Sequence, residues 1–248
     1  MAGFVDVHAH FLTDAYVARA RAAGHDVPDG MPGWPRWSPD EHLELMDRVG
    51  IDSAVLSVSS PGVHFGDDNA ARALAREVNE AGAQIVRDHP GRFGLFASLP
   101  VPDVDDALAE IGYALDTLHA DGVLLETNVH GVYLGNPALE PVFAELARRH
   151  ATVLLHPASP PCWQQTALGR PRPMIEFIFD TARAVTDLVL GGTFHISPSR
   201  GRGPGGLLEP PTTTSDPAEV STGELPVEGW PVEGRPSAAA VRRAARAA

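Results

Sequence analysis

Residues 5–11, with the sequence VDVHAHF, decide how the rest of the chain is interpreted. The segment has the composition of a short buried strand and ends in a His-x-His pair. Because side chains alternate along a strand, Asp6, His8 and His10 are expected to point to the same side. The two imidazoles then lie roughly 7 Å apart and can both reach one metal ion, to which histidine nitrogens bind at about 2.0–2.1 Å. The alternative is two histidines without a shared role, so the hypothesis needs a third ligand.

The composition indicates an acidic globular protein. The chain has 248 residues, 44% of them hydrophobic, which suits one large domain or two small ones. Its formal net charge of −13 argues against nucleic acid and anionic membrane as partners. No apolar run reaches the roughly 18 residues of a membrane-spanning helix, and no secretory signal is recognisable. A single cysteine, Cys162, fits a reducing compartment, so a cytoplasmic location is expected.

The sequence contains no lysine, and all 19 of its basic residues are arginine. Schiff-base catalysis needs a lysine amine and is therefore excluded. A two-metal site bridged by a carbamylated lysine is excluded for the same reason.

Strand-like and helix-like segments alternate five times along the chain. Apolar runs predict strands at residues 5–11, 51–58, 92–99, 122–126 and 152–156. Amphipathic periods and end signals predict helices at 38–50, 69–88, 103–119, 137–150 and 172–190, with one helical turn within 13–23. Strands that alternate with helices indicate parallel pairing through right-handed crossovers.

Two α/β architectures fit this order, a TIM barrel and a doubly wound open sheet. A glycine-rich phosphate-binding loop does not follow the first strand, which weakens the nucleotide-binding version. Metal ligands at the carboxyl ends of strands favour the barrel, in which active sites lie at that face. The last predicted helix is expected to bury an apolar face that comprises Ile175, Phe177, Ile178, Phe179, Val185 and Leu188.

His156 is the candidate third ligand. It ends the fifth predicted strand as His10 ends the first. In an eight-stranded barrel, odd-numbered strands contribute to the same interior layers, so His8, His10 and His156 can converge on one ion. Three protein ligands with an open position are typical of catalytic zinc sites.

Loops at the carboxyl ends of the strands contain the candidate substrate-binding residues. His64 and Phe65 follow the second strand, and Asn128 follows the fourth. Trp34 lies in the long loop after the first strand, for which a pocket wall and simple packing onto the body are both open interpretations. His130, also in the loop after the fourth strand, is a weaker candidate of the same kind.

With these residues in place, the chain resembles the amidohydrolase-2 family, which includes aminocarboxymuconate-semialdehyde, 6-methylsalicylate and γ-resorcylate decarboxylases. The resemblance covers about residues 3–194 and rests on several segments in combination. These segments are 5–11 (VDVHAHF), 59–66 (SSPGVHFG), 89–94 (HPGRFG), 131–137 (GVYLGNP) and 153–157 (VLLHP).

The resemblance implies a TIM barrel that holds one divalent metal ion, zinc or manganese, with His8, His10 and His156 at family ligand positions. It implies decarboxylation of a small, aromatic or cyclic carboxylic acid, in which the metal acts as a Lewis acid and a nearby group protonates the carbon. A metal-dependent hydrolase of the same superfamily is the alternative. The catalytic residue is not identified, and a homo-oligomer remains an open option.

The last part of the chain departs from the family pattern. The family continues with a catalytic His at the end of the sixth strand and a metal-binding Asp after the eighth. Residues 195–248 instead contain 8 Pro and 7 Gly in 54 residues, a composition typical of disorder. Neither His195 nor Asp216 follows a predicted strand, so neither is expected to fill those roles. We therefore expect a partial barrel at 1–194 and a disordered tail at 195–248.

The abrupt change of composition favours a frameshift near codon 194. This hypothesis predicts that another reading frame of the coding DNA encodes an apolar strand and a His-Gly-Gly motif. On that interpretation the chain is an inactive remnant without the fourth ligand and the catalytic His. A further option is an assembly in which another chain completes the barrel. Five strands alone are expected to leave apolar strand edges exposed.

Overall fold

The structure is a computed structural model and describes residues 4–193. Its strands are β1 (Phe4–His10), β2 (Ile51–Ser57), β3 (Phe93–Ser98), β4 (Gly122–Glu126), β5 (Asn128–Val129), β6 (Val132–Tyr133) and β7 (Thr152–His156). Its helices are α1 (Asp14–Ala22), α2 (Pro39–Val49), α3 (Asp68–Asp88), α4 (Val104–Gly112), α5 (Glu140–Arg148), α6 (Trp163–Thr166) and α7 (Arg172–Leu190). A π-helical turn, Tyr113–Thr117, follows α4, and a 3₁₀ turn, Pro137–Leu139, precedes α5.

Five of the strands form one parallel, curled sheet in the order β1-β2-β3-β4-β7. The order follows the chain without a reversal, as a barrel requires, whereas a doubly wound sheet reverses its strand order at a switch point. The expected incomplete TIM barrel is therefore confirmed, and the doubly wound alternative is not. The remaining two strands, β5 and β6, form an antiparallel hairpin directly after β4.

Two apolar clusters hold the helices to the sheet. The first packs α1, α2 and α3 against β1, β2 and β3, and its largest fully buried members are Phe11, Tyr16, Met46 and Leu56. The second packs α4, α5 and α7 against β4 and β7, through residues such as Ile111, Leu125, Leu146 and Leu188. The removal of each such side chain from water contributes about 1.5–3 kcal/mol to the stability of the folded state.

Local signals explain most element boundaries. Ser38 caps α2 by accepting a hydrogen bond from the Glu41 backbone N–H at 3.2 Å, and Gly50 ends the helix in the left-handed conformation with φ of 78°. The predicted bounds of β4, β7 and α7 agree with the structure. The turn expected near residue 13 is a nine-residue helix, α1, capped by Thr13. The hairpin β5–β6 and the short helix α6 were not expected.

The prediction that the first strand is buried is wrong. The side chains of Phe4, Val5 and Val7 are 77%, 57% and 52% exposed. Within the described residues β1 pairs only with β2 and forms an edge of the sheet, so nothing covers its outer side. This exposure agrees with the expectation that an open barrel leaves apolar strand edges uncovered.

The prediction for the buried face of α7 is wrong for three of its six residues. Ile178 and Phe179 are 65% and 61% exposed, and Val185 is exposed as well. The fully buried side chains of the helix are instead Glu176, Asp180, Ala184 and Leu188, of which only Leu188 was predicted. Hydrogen bonds to the Asp180 carboxylate draw this side of the helix inward, and the apolar side remains without a partner among the described residues.

Several predictions concern residues that the structure does not describe. The proposed disorder of residues 195–248 and the roles considered for His195 and Asp216 lie outside the described residues. Among residues 4–193, no helix combines the length and apolar character needed to cross a membrane.

Candidate metal centre and adjoining cavity

Three histidines meet at the carboxyl ends of β1 and β7. One ring nitrogen from each of His8, His10 and His156 lies within 4.8 Å of the others. Their ring centroids are 4.9, 5.2 and 4.8 Å apart, and the rings are nearly perpendicular to one another. The structure therefore brings together the three side chains proposed from the sequence as ligands.

A β-bulge in β1 places His8. Asp6 pairs with Ala54 and Ala9 pairs with Leu56, so Val7 and His8 lie opposite a single residue of β2. Such an extra residue bends the strand and redirects a side chain. The carboxylate of Asp6 accepts a hydrogen bond from the His8 backbone N–H at 2.9 Å and braces the bulge. Simple alternation along a regular strand did not anticipate this irregularity.

The neighbouring strand fixes the ring of His10. Its Nδ1 lies 2.9 Å from the hydroxyl of Ser57, the residue that pairs with His10 across the sheet. Since the Ser57 hydroxyl donates its own proton to the Ala9 carbonyl at 3.1 Å, its oxygen accepts from Nδ1–H of His10. The Nε2 atom of His10 is thus left with a free lone pair.

His156 is held in the same way from β4. Its Nδ1 lies 3.1 Å from Oε2 of Glu126, and Glu126 is its pairing partner in the sheet. A carboxylate accepts from Nδ1–H, so Nε2 of His156 is also left with a lone pair. Burial raises the pKa of the Glu126 carboxyl to about 7, although its contact with His156 acts to lower it.

The donor set suits a cation. The Nε2 atoms of His10 and His156 face each other at 3.2 Å. Two unprotonated lone pairs repel at this distance, whereas two ligands of a tetrahedral ion at about 2.0–2.1 Å lie about 3.3–3.4 Å apart. Burial, followed by the neighbouring His156 and His8, lowers the pKa of His10 to about 3, so the ring is neutral and ready to bind a metal. Burial and His156 also lower the pKa of His8.

A cavity of about 380 Å³ lies beside Glu126, which lines it and contacts His156; the three histidines themselves do not line it. This volume suits a small organic ligand. Apolar side chains form part of the wall, among them Val58, Val63, Leu99, Val101, Leu124 and Val129. Polar groups of His25, His64, Ser98, Asn128, His130 and Arg172 are spaced between them.

Two of the four predicted substrate-binding residues line this cavity, and two do not. His64 and Asn128 are in its wall. Trp34 and Phe65 pack in the first apolar cluster instead, with their ring centroids 5.7 and 6.3 Å from that of Tyr16. Their position supports the packing interpretation that the sequence left open for Trp34.

A tight hairpin places His130 next to His64 in the cavity wall. His130 and Gly131 form the turn between β5 and β6, and both have positive φ, 50° and 80°, as a type I′ turn requires. Nε2 of His130 lies 3.1 Å from Nδ1 of His64, which also accepts from the Gly66 backbone N–H at 3.2 Å. Since Nε2 of His64 lies 2.9 Å from an Asp68 oxygen, that nitrogen carries the His64 proton.

The buried Asp180 of α7 anchors the same hairpin. Its carboxylate accepts hydrogen bonds from the Thr127 and Tyr133 hydroxyls and from the Asn128 amide, the last at 2.9 Å, and it pairs with Arg183. These contacts hold Asn128 in the cavity wall. The role of Asp180 was not predicted, because the apolar residues of α7 indicated a different buried side.

An ion pair connects the loop after α1 to the start of α7. Arg172 lies 2.6 Å from the Asp29 carboxylate and stacks over the Trp163 ring at 4.5 Å from the centroid. Asp29 also accepts from the backbone N–H and hydroxyl of Ser159 at 2.6 and 2.7 Å. The contacts of Ser57 and Glu126 with the histidines were not predicted from the sequence either. Both residues end parallel strands that neighbour the histidine-bearing strands, and this position was a usable signal.

Comparisons with known proteins fit this geometry. The amidohydrolase family Amidohydro_2 matches residues 5–202. The chain is 38% identical over 207 residues to decarboxylase yanB of Aspergillus niger, which covers 78% of this chain and 55% of the relative. It is 42% identical over 197 residues to the 6-methylsalicylic acid decarboxylase acuB of Aspergillus aculeatus, which covers 76% and 58%. The chain thus spans less than two thirds of the length of these relatives.

Solved structures share the fold. A crystal structure of an amidohydrolase II superposes with a TM-score of 0.73 at 34% identity, over 79% of this chain and 64% of that one. A dihydroxybenzoic acid decarboxylase of Polaromonas sp. JS666, with bound manganese and the inhibitor 2-nitroresorcinol, gives 0.65 at 25% identity, over 78% and 62%. With the family match spanning most of its length, this chain belongs to the amidohydrolase-2 family.

Proposed function

We propose that this protein binds one divalent metal ion through His8, His10 and His156 and acts in the decarboxylation of a small aromatic carboxylic acid. One observation carries the proposal: two imidazole Nε2 atoms face each other at 3.2 Å, each with its Nδ1 hydrogen-bonded away from the gap. The relatives' names support the reaction, because they include decarboxylases of 6-methylsalicylic acid and γ-resorcylate.

The bound metal would supply a Lewis acid that holds substrate oxygens and stabilises the charge left when CO2 departs. The chain's own part is to bind and orient the substrate. The apolar side chains of the wall suit an aromatic ring, and the Asn128 side-chain carbonyl oxygen, held by the Gly131 backbone N–H at 3.1 Å, offers an acceptor to a substrate hydroxyl. His64 lines the same wall with both ring nitrogens hydrogen-bonded within the protein. Because the carbon–carbon bond breaks and a carbon–hydrogen bond forms, each turnover consumes one proton.

We propose zinc as the metal, since three neutral imidazoles and an open position are the ligand set of catalytic zinc. Manganese is the competing ion, because it is bound in the Polaromonas decarboxylase. The proposed partner is a small carboxylate rather than nucleic acid or a membrane, which the acidic composition supports. A cytoplasmic location is part of the proposal and is supported by the single cysteine.

CO2 release from a panel of ortho-hydroxybenzoic acids tests the reaction. The metal-loaded protein is expected to release CO2 from at least one acid of the panel, and the His156→Ala variant is expected to release none. A protein that binds metal but leaves every acid intact would contradict decarboxylation by this chain and favour the alternative of an inactive remnant, which lacks the fourth ligand and the catalytic His. Hydrolysis of amide or lactone substrates by the same sample would favour the hydrolase alternative.

A further inference from the structure

We propose that Glu126 is the positioning residue of the metal centre: it sets the tautomer and orientation of His156, so that Nε2 becomes the metal-binding atom. The inference rests on the proposed metal-dependent function. It concerns a residue that would not itself contact the ion. Histidine ligands generally donate their second ring N–H to such an outer partner, which raises their basicity and fixes the ring.

Strand pairing places the two side chains together. Glu126 and His156 are the last residues of β4 and β7, and they are paired in the parallel register. The backbone N–H of Thr127 donates to the His156 carbonyl at 2.9 Å and extends this pairing past the strand ends. Both side chains are buried, at 7% and 5% exposure, so water competes little for their hydrogen bond of 3.1 Å.

The loop after β2 confines Glu126 from the other side. Gly62 has a φ of 71°, and a Cβ at this position would come within 3.3 Å of Glu126 Cγ. A side chain at this position would therefore press on the glutamate. The Tyr16 hydroxyl donates to the Gly62 carbonyl at 2.8 Å and holds the loop in place. The loop thus limits the movement of the Glu126 side chain on this side, and the cavity lies on another.

The charge of Glu126 points to the same role. Its Oε1 is buried and has no hydrogen-bond partner in the described part of the chain, and its Oε2 contacts only His156. A buried carboxylate with one hydrogen bond is costly unless a positive charge lies near it. A divalent cation on the far side of the His156 ring would supply that charge. Ser57, which holds His10, is neutral and needs no such partner.

Metal titration of the metal-free protein tests the proposal without any substrate. Cobalt(II) is the probe, because its visible absorption reports the ligands as well as the affinity. Glu126→Ala is expected to weaken cobalt binding by about 10–100-fold and to change the spectrum. Glu126→Gln is expected to lose less cobalt affinity, because the glutamine amide oxygen can still accept from Nδ1–H of His156. Glu176→Gln is the matched control, since Glu176 is another buried carboxylate with an unpaired oxygen.

The outcomes separate this inference from the proposed function. Wild-type affinity and spectrum in a folded Glu126→Ala variant would overturn the positioning role and leave the metal site standing. Absence of cobalt binding by the wild-type protein would overturn both. Metal binding that depends on Glu126, without CO2 release from any acid, would support the positioning role and contradict decarboxylation. If the alanine variant does not fold, Glu126→Leu takes its place, because leucine keeps the bulk and cannot accept from Nδ1–H of His156. Wild-type cobalt affinity and spectrum in that variant would overturn the inference.

Discussion

The two walls of the candidate metal centre are built differently. The first wall, β1 and β2, contributes His8 and His10 from an exposed edge strand that contains a bulge. The second wall, β4 and β7, contributes His156 from the opposite edge strand of the sheet, at a strand end that is buried beside a carboxylate. In the first wall, the neutral hydroxyl of Ser57 orients His10. In the second wall, the buried carboxylate of Glu126 orients His156.

The two walls also differ in the contacts that attach them to the rest of the protein. The second wall is tied to α7 through the buried carboxylate of Asp180, which accepts from two hydroxyls and an amide. The first wall relies on apolar packing and on surface ion pairs such as that between Asp47 and Arg92. Equivalent ligands thus rest on unequal supports, which can be removed one at a time.

The largest expected effect is the loss of a ligand from either wall. Zinc binding of about 10–16 kcal/mol shared by three or four ligands gives roughly 4 kcal/mol for each. His10→Ala and His156→Ala should therefore each weaken zinc affinity by about 1000-fold, as measured by competition with a chromogenic chelator. His89→Ala is the control, because His89 packs on Phe93 away from the triad. Full zinc affinity in either ligand variant would remove that histidine from the site.

Removal of Asp180 should destabilise the second wall. Asp180→Ala leaves Thr127, Asn128 and Tyr133 without their buried acceptor and breaks the pair with Arg183. We expect a loss of about 3 kcal/mol in the free energy of unfolding, measured in urea. Asp47→Ala, which breaks an exposed ion pair behind the first wall, should cost less than about 1 kcal/mol. Equal losses would mean that the two walls do not differ as described.

A smaller effect is expected from Ser57→Ala, which removes the hydroxyl that orients His10. Hydrogen bonds to a charged group are roughly twice as strong as neutral ones. Cobalt affinity should therefore fall only about 3–10-fold, less than for Glu126→Ala. Ser59→Ala is the matched control, since its hydroxyl makes only a local contact. A larger loss of cobalt affinity in Ser57→Ala than in Glu126→Ala would mean that the first wall depends more on its orienting residue than the second.

The smallest effect concerns a surface charge behind the second wall. Hydrogen bonds from Arg148 and Arg149 lower the pKa of Glu145 to about 2, from an ordinary value of 4.5. A lowered carboxyl pKa stabilises the folded state fully above pH 4.5, and this contribution is lost as pH falls toward about 2. Glu145→Gln should lower the thermal midpoint slightly at pH 7 and less at pH 3. The same difference at both pH values would argue against the ion pair.

Much of the sheet could be predicted from the sequence, because parallel strands buried on both sides are continuous apolar runs. The segments ending at Glu126 and His156 show this pattern and were placed correctly. The triad could be predicted because His10 and His156 end strands, His8 lies two residues before His10, and parallel strands end at a common face. Their role as ligands stays a prediction that the geometry supports.

The features that could not be predicted depend on contacts with residues far away in the sequence, which a local sequence pattern does not contain. The burial of β1 depends on a second flanking strand, which is absent among the described residues. The orientation of α7 is set by the hydrogen bonds of Asp180 rather than by its apolar residues. Trp34 and Phe65 look like pocket residues in a loop, yet their rings pack on Tyr16.

X-ray absorption spectroscopy of the zinc-loaded protein tests the central claim most directly. Three histidines from two walls should give the multiple-scattering pattern of about three imidazoles, with Zn–N distances of about 2.0–2.1 Å. His156→Ala should remove one imidazole from that pattern. A spectrum without imidazole scattering, or one that His156→Ala leaves unchanged, would contradict the assignment of His8, His10 and His156 as one metal centre.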